Sequence, residues 1–284
     1  MDMRKVRAMY FSGTGTTEKT VTAIADAIAA EGFPKAENIN FTPAPARKQT
    51  YSFGEDDIVV FGVPVIAGRV PNVLLKFLQG SAKDDLPPSI NGGGALAVPV
   101  VLYGNRNYDD ALIELRNILE EQGFHTVAAG AFIGEHSFSR KLAAGRPDAD
   151  DLEKAAAFGR AVAAKIAGLG DELPEPVQVK GETPIRDYYK PRDRHGEHIN
   201  ILKVKPKLNR EKCNGCGECV EACPMGSIKP EEPGVVQGIC IKCCGCEKKC
   251  PQGALYFDDP GYIYHKEELE YLYGETRREP EMFI

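Results

Sequence analysis

Apolar runs and amphipathic stretches alternate along residues 1–170 of the chain. The apolar runs predict β-strands at 5–11, 37–41, 57–62, 95–103 and 126–133. Apolar residues at helical spacing, such as Ile24 and Ile28, predict helices at 17–30, 70–78, 109–122 and 150–167. Strands that alternate with helices specify a parallel, doubly wound α/β sheet.

The pattern changes after residue 170. Residues 171–205 carry many charges and four prolines, so they are too polar to form a core and are expected to be a linker. A small second domain is expected at 206–260. The tail at 261–284 contains Leu269 and Leu272 and is expected to pack on the domains as a short helix. A chain of 284 residues has room for two domains.

Composition narrows the class of partner. The formal net charge is −6 and no long basic run is present, which argues against nucleic acid as a partner. No apolar stretch reaches the roughly 18 residues that a spanning helix needs. We therefore expect no membrane span and a cytoplasmic protein.

All nine cysteines lie between Cys213 and Cys250. Eight of them spell one pattern twice, with three cysteines at three-residue steps and a fourth followed by proline: Cys213, Cys216, Cys219 and Cys223, then Cys240, Cys243, Cys246 and Cys250. Three such thiolates on a tight loop can hold one side of an iron-sulfur cubane, whereas the fourth lies beyond the loop and points away. The double run resembles a bacterial two-cluster ferredoxin, a small α+β domain.

This resemblance implies two [4Fe-4S] clusters with crossed ligand sets. The fourth cysteine of each run would bind the cluster of the other run. One cluster would be held by Cys213, Cys216, Cys219 and Cys250, and the other by Cys240, Cys243, Cys246 and Cys223.

Other uses of the cysteines fit the sequence less well. Zinc sites use pairs of ligands with a longer spacer and rarely a third thiolate at the same step. A disulfide framework needs an oxidising compartment, and residues 1–10 contain no apolar signal core. Cys244, the ninth cysteine, is expected to be a small packing thiol rather than a spare ligand.

A loop rich in Gly and Thr connects the first predicted strand to the first helix: Ser12, Gly13, Thr14, Gly15, Thr16 and Thr17. A strand, loop and helix in this order form an anion cradle, because the loop amides and the helix N-terminus present N–H groups to one phosphate. The hydroxyls of Ser12, Thr14 and Thr17 can add donors. The residues alone leave a nucleoside triphosphate, a single phosphate and a purely structural turn open.

The loop approaches a Walker A sequence, with Lys19 and Thr20 in place, but Glu18 replaces the second glycine. A carboxylate there would repel a triphosphate. The loop resembles that of the flavodoxins, Ser/Thr-x-Thr-Gly-x-Thr, which holds the phosphate of FMN. The resemblance implies a flavodoxin-like five-stranded sheet of order 2-1-3-4-5, with FMN outside the carboxyl ends of strands 1 and 3.

Two further loops are then expected to contact the flavin ring. The loop after the third strand offers Pro64, Val65, Ala67 and Gly68, and the loop after the fourth offers Tyr103, Gly104, Asn105, Arg106, Tyr108 and Asp109. Gly104 and Asn105 are expected to bond the pyrimidine side through their backbone. Tyr108 is the stacking candidate, unless it packs the start of the next helix, and Arg106 is either a cation near the flavin or a solvated charge.

Histidines give weaker signals. His136 follows the fifth strand at the same end of the sheet as the flavin loops and is the candidate for proton relay, with a structural role as the alternative. His195 and His198 resemble a metal pair, but further ligands are lacking nearby, which favours a solvated stretch.

The whole chain resembles the flavodoxin–ferredoxin fusion proteins, a family of FMN and iron-sulfur electron carriers. The FMN domain would span 1–170 and the cluster domain 206–260. The resemblance implies electron transfer between FMN, two [4Fe-4S] clusters and a redox partner, which would be a protein or a small oxidant or reductant. No nicotinamide-binding fingerprint is visible. The donor, the acceptor and the oligomeric state are left open.

Two alternatives remain at this point. The protein could be an FMN-dependent reductase of a small substrate that is fed by the clusters, with Arg69, Arg106 and His136 beside the flavin. It could instead be a redox-sensing or scaffold subunit.

Overall fold

The structure, a computed structural model, describes residues 4–170 and 174–284. The first part of the chain folds in the order β1 (Lys5–Tyr10), α1 (Thr16–Ala30), β2 (Ile39–Asn40), β3 (Tyr51–Ser52), β4 (Asp57–Pro64), α2 (Asn72–Gln79), β5 (Ile90–Asn91), β6 (Leu96–Tyr103), α3 (Ala111–Glu121), β7 (His125–Thr126), β8 (Ala129–Ile133) and α4 (Ala149–Ala167). The second part contains β9 (Lys207–Leu208), α5 (Glu218–Glu221), α6 (Gly245–Lys248), β10 (Leu255–Tyr256), α7 (Pro260–Tyr273) and β11 (Glu281–Phe283).

The central sheet has the predicted doubly wound topology. Its parallel strands lie in the order β2-β1-β4-β6-β8, which is 2-1-3-4-5 when these five strands are numbered along the chain. The fifth strand, predicted as one run at 126–133, is interrupted. Its two pieces, β7 and β8, pair with opposite ends of β6.

The tail adds a strand that the sequence did not predict. β11 pairs antiparallel with β8 and covers the outer edge of the sheet. A three-residue strand is too short to show the alternation on which strand prediction depends. Covering an edge strand leaves fewer unpaired backbone groups at the side of a sheet.

Alternate residues of each strand face two separate hydrophobic layers. Met9 and Phe11 belong to the layer under α2 and α3, whereas Ala8 and Tyr10 belong to the layer under α1 and α4. The helix after β1 and the helix after β4 therefore lie on opposite faces of the sheet. A crevice opens between the carboxyl ends of these two strands, where doubly wound sheets bind ligands.

Residues 174–205 lie against the sheet domain instead of crossing solvent; the predicted linker begins at 171–173, which lie outside the described residues. Arg186 donates to the buried carboxylate of Asp110, with Nε 2.8 Å from Oδ2. The Tyr188 hydroxyl donates to the Val70 carbonyl at 3.1 Å, and Val177 is buried in the core. Within the described parts of the chain, no helix is long and apolar enough to cross a membrane.

Candidate functional site

A cavity of about 260 Å³ occupies the crevice at the carboxyl ends of β1, β4 and β6. Four of its walls are the three predicted FMN loops, after β1, β4 and β6, and the loop after β8. The predicted residues that line it are Gly13, Thr14, Thr16, Thr17, Pro64, Val65, Ala67, Gly68, Tyr103, Gly104, Arg106 and His136. Three further segments, which the sequence analysis did not place there, complete the walls: residues 189–202, the cysteine loop at 241–243, and α7.

The loop before α1 has the geometry of an anion cradle. Gly15 precedes the helix at φ 93°, a left-handed conformation that favours glycine. The backbone N–H groups of Gly13, Thr14 and Gly15 donate to no acceptor in 4–170 or 174–284. The first N–H groups of a helix also lack partners within it. Unused donors of this kind fit a phosphate.

The side chains of Ser12 and Glu18 form hydrogen bonds within the protein at this loop. The Ser12 hydroxyl accepts the Glu18 N–H at 3.1 Å and so holds the first turn of α1. The Glu18 carboxylate accepts the Tyr10 hydroxyl at 2.7 Å. Burial, and after it Glu18, raises the pKa of Tyr10 above its ordinary value, so Tyr10 stays a donor. Ser12 and Gly15 do not themselves line the cavity.

The loop after β4 is held at both ends. The Val65 N–H donates to the Leu102 carbonyl at 2.7 Å, and the Ala67 carbonyl accepts the Tyr189 N–H at 2.8 Å. Gly68 has φ 75°, and a Cβ on it would lie 2.3 Å from Oδ2 of Asp109. Only glycine therefore allows this loop and the loop after β6 to approach each other beside the cavity.

Three residues of the loop after β6 do not line the cavity, contrary to prediction. The Tyr108 ring packs on Tyr103, with centroids 5.5 Å apart, and its hydroxyl donates to Glu281 of β11 at 3.0 Å. In the structure Tyr108 thus packs at the start of α3 and does not face the cavity.

Asn105 and Asp109 are also engaged elsewhere. The Asn105 amide donates to the carbonyls of Tyr273 and Thr276, at 2.8 and 2.7 Å, and so fastens the tail. Asp109 forms an ion pair with Arg106. The tail therefore engages the Asn105 side chain, whereas the sequence analysis assigned only the Asn105 backbone to the flavin.

Arg106 and Tyr189 form one wall of the cavity together. The Arg106 guanidinium lies over the Tyr189 ring, with Cζ 4.3 Å from the centroid. Arg106 also forms an ion pair with Asp109, so its charge lies at the cavity beside a carboxylate. Tyr189 is the aromatic residue that the sequence analysis missed, because it lies in a polar segment without periodic pattern. Arg69 does not line the cavity and pairs with Glu114.

His136 lies inside the cavity wall as a neutral imidazole. Burial, and after it the charge of Lys248, lowers the pKa of His136 to about 3. Its Nδ1 accepts the Phe138 N–H at 3.1 Å, so the neutral ring carries its proton on Nε2. A second histidine, His265 of α7, lines the same cavity, and burial lowers its pKa to about 4.

The cysteines form two neighbouring groups. Burial raises the pKa of the Cys219 thiol, and nearby Cys250 and Cys213 raise it further. Burial likewise raises the pKa of Cys246, with further contributions from the neighbouring thiols of the second group, Cys243, Cys240 and Cys223. The last cysteine of each run thus lies with the other run, which supports the crossed ligand sets.

The fourth cysteine of each run, Cys223 or Cys250, makes the same kind of hydrogen bond. Cys223 Sγ accepts the Ser227 N–H at 3.4 Å, and Cys250 Sγ accepts the Ala254 N–H at 3.3 Å. N–H···S bonds orient a ligating sulfur and tune the potential of a cluster. All nine cysteines are free thiols, and converging free thiols are a donor set that fits iron-sulfur clusters.

The second cysteine group touches the anion cradle. A Cβ on Gly13 would lie 3.1 Å from Cβ and 3.3 Å from Sγ of Cys243. A Cβ on Gly245 would lie 2.7 Å from the Gly13 carbonyl oxygen. Two glycines therefore bring a predicted cluster ligand into contact with the predicted phosphate loop.

Two cations also join the cysteine segment to the sheet domain. Lys248 of α6 pairs with Glu135 and donates to the carbonyls of His136 and Ser139, at 2.7 and 2.8 Å. Arg47 donates to the carbonyl of Pro224, next to the ligand candidate Cys223.

The chain is similar to two kinds of known protein in its two parts. Residues 206–229 match the family model of the 4Fe-4S binding domain, which covers the first cysteine run. A flavodoxin from the domain Archaea is similar, with 18% identity and a TM-score of 0.41, over 57% of this chain and 99% of that chain. Flavodoxin 2 from Bacillus cereus has 18% identity and a TM-score of 0.39, over 57% and 99%. Megasphaera elsdenii flavodoxin has 19% identity and a TM-score of 0.34, over 56% and 98%.

At such TM-scores the fold assignment depends on the strand order of the chain itself. That order is the flavodoxin-like one, and the matched segment 206–229 is similar to the 4Fe-4S binding domain. A 4Fe-4S match that follows a flavodoxin-like sheet in one chain is the combination that the sequence resemblance to flavodoxin–ferredoxin fusion proteins implied.

Proposed function

We propose that the chain is an electron-carrying iron-sulfur flavoprotein with FMN in the cavity and a [4Fe-4S] cluster on each cysteine group. Bound FMN would supply two-electron and one-electron chemistry, and each cluster one-electron chemistry. The observation that carries the proposal is the contact between Gly13 and Cys243, because it puts a cluster ligand against the flavin phosphate loop.

Residues at the cavity fit FMN. The unused N–H groups at 13–15 and the start of α1 would bind the phosphate, with Thr14, Thr16 and Thr17 beside them. The planar ring would lie among the loops after β4 and β6 and the Tyr189 side chain. We assign the FMN domain to residues 1–170 and the cluster domain to residues 206–260. Residues 174–205 and the tail contact both domains.

The exposure of the cysteines suggests an order for the centres. The group that contains Cys243 lies at the cavity, and burial raises the pKa of Cys243 to about 11. In the other group, Cys216 is exposed to solvent. We infer that a redox partner, protein or small molecule, meets the chain at Cys216, and that the Cys243 group stands between this surface and the flavin.

A reductase of a small substrate is the second candidate function. It is favoured by the two neutral imidazoles, His136 and His265, in one mostly apolar cavity. A neutral imidazole can donate a proton to a substrate or accept one from it. In His136 the proton is on Nε2.

Cofactor content after anaerobic purification tests the proposal. Iron, sulfide and FMN should be present in the ratio that two cubanes and one flavin require. Iron sufficient for one cluster only, or protein that does not take up FMN, would contradict it.

A further inference from the structure

His265 is a buried polar residue that reaches the flavin cavity from the far end of the chain. It lies on α7, is 5% exposed, and lines the cavity together with Leu269, one turn further on. It makes no hydrogen bond with any residue in 4–170 or 174–284, although neither ring nitrogen is sealed inside protein. Because the ring nitrogens lack a protein partner among the described residues and His265 lines the cavity, the imidazole can hydrogen-bond to a ligand there.

The surroundings of His265 fit a planar ligand. The imidazole lies nearly parallel to the Tyr189 ring, at 29° and 6.2 Å between centroids, and edge-on to Phe138 at 6.2 Å. Flat walls of this kind match a flat ring system. A neutral imidazole offers one donor and one acceptor, and the pyrimidine side of an isoalloxazine ring carries both kinds of partner.

We propose that His265 is a further FMN-binding residue, so that helix α7 of the C-terminal tail completes the flavin site. The proposal rests on the proposed function, because it takes FMN as the occupant of the cavity.

The position of His265 is set from both sides of the molecule. At its start, α7 is capped by Asp259, which accepts the Tyr262 N–H at 2.9 Å, and Tyr262 contacts Cys244 of the cluster loop at 3.3 Å. At its end, the Tyr273 carbonyl is held by Asn105. The cluster domain and the flavin domain must therefore be docked for His265 to reach the ring, and FMN binding should in turn favour docking.

The test measures FMN affinity in the full chain by quenching of flavin fluorescence. His265→Phe keeps an aromatic ring and removes the hydrogen bond, so the Kd for FMN should rise about tenfold, as expected for one lost hydrogen bond. His265→Asn should recover part of the affinity. The exposed His195→Asn is the matched control and should bind like the parent. Parent affinity and an unchanged flavin spectrum in His265→Phe would overturn the proposal.

A second measurement needs no variant. Addition of FMN to flavin-free parent protein should slow amide hydrogen exchange across 260–273, and unchanged exchange there would overturn the proposal. The two levels of failure are distinguishable. If the parent does not bind FMN, the proposed function fails, whereas equal binding by parent and His265→Phe removes only the role of His265.

Discussion

Two single residues, Cys223 and Cys250, connect the two cysteine runs. Each lies outside its own loop and beside the thiols of the other run. Cys244 differs from both. It occupies the position before α6 at φ 57°, is 2% exposed, and contacts the Tyr262 hydroxyl at 3.3 Å. Its surroundings are those of a packing thiol.

Replacement of Cys250 by Ala should remove the cluster of the first run and leave that of the second. Cys250→Ala deletes a ligand that belongs with Cys213 and Cys219, while Cys223 stays with the second run. Iron content and EPR of the reduced protein would measure this. Cys244→Ala is the control and should keep both clusters, with a loss of stability of about 1–3 kcal/mol because Tyr262 loses its partner. Retention of both clusters in Cys250→Ala would rule out crossed ligation.

Residues fixed by local spacing could be predicted, and residues placed by distant contacts could not. The cysteine runs and the Gly/Thr loop follow from steps of a few residues, so the sequence indicated them directly. Tyr189 lies in an irregular segment and His265 in the tail, and both line the cavity. No local sequence pattern indicates that such side chains reach it. The hydrogen bond from the Tyr108 hydroxyl to Glu281 could not be predicted for the same reason, because Glu281 lies near the other end of the chain.

Helix α6 is the element that joins the cluster domain to the sheet domain. It carries Lys248, whose side chain is 10% exposed and which makes three contacts with the loop after β8. Its neighbour Lys249 is exposed. A single turn of helix thus presents one lysine to the interface and one to solvent.

Lys248→Met should loosen this interface without removing either cofactor. The variant leaves Glu135 and two carbonyl groups without their buried donor, so we expect a loss of about 2–3 kcal/mol in docking. Amide exchange at 135–139 should become faster and flavin reduction by the clusters slower. Lys249→Met is the matched control and should behave like the parent. Equal exchange rates in the two variants would show that Lys248 is not the link.

The alternation of strands and helices made most elements predictable, because each helix and strand of a doubly wound sheet has its own buried face. The observed α4, Ala149–Ala167, differs by one residue at its start from the predicted 150–167. The break between β7 and β8 and the added strand β11 were not predicted. Both depend on pairing with a distant strand rather than on the residues themselves.

The C-terminal tail contacts both the cavity and the edge of the central sheet. After the cluster domain, the chain passes the cavity as α7, binds Asp148 through Arg277 at 2.8 Å, and ends in β11 at the sheet edge. The sequence analysis expected residues 171–205 to be a linker between two domains. The observed contacts instead hold the Cys243 loop directly on the phosphate loop. Under the proposed function, electron exchange between the centres would need no collision between chains.

The most direct test of this account is the rate of flavin reduction after the clusters have been filled with electrons. Anaerobic protein loaded with both cofactors would be mixed with a one-electron reductant and followed in the visible spectrum at several protein concentrations. The account predicts a first-order reduction of the flavin whose rate constant does not change with protein concentration. A flavin that stays oxidised, or a rate that rises in proportion to protein concentration, would contradict it.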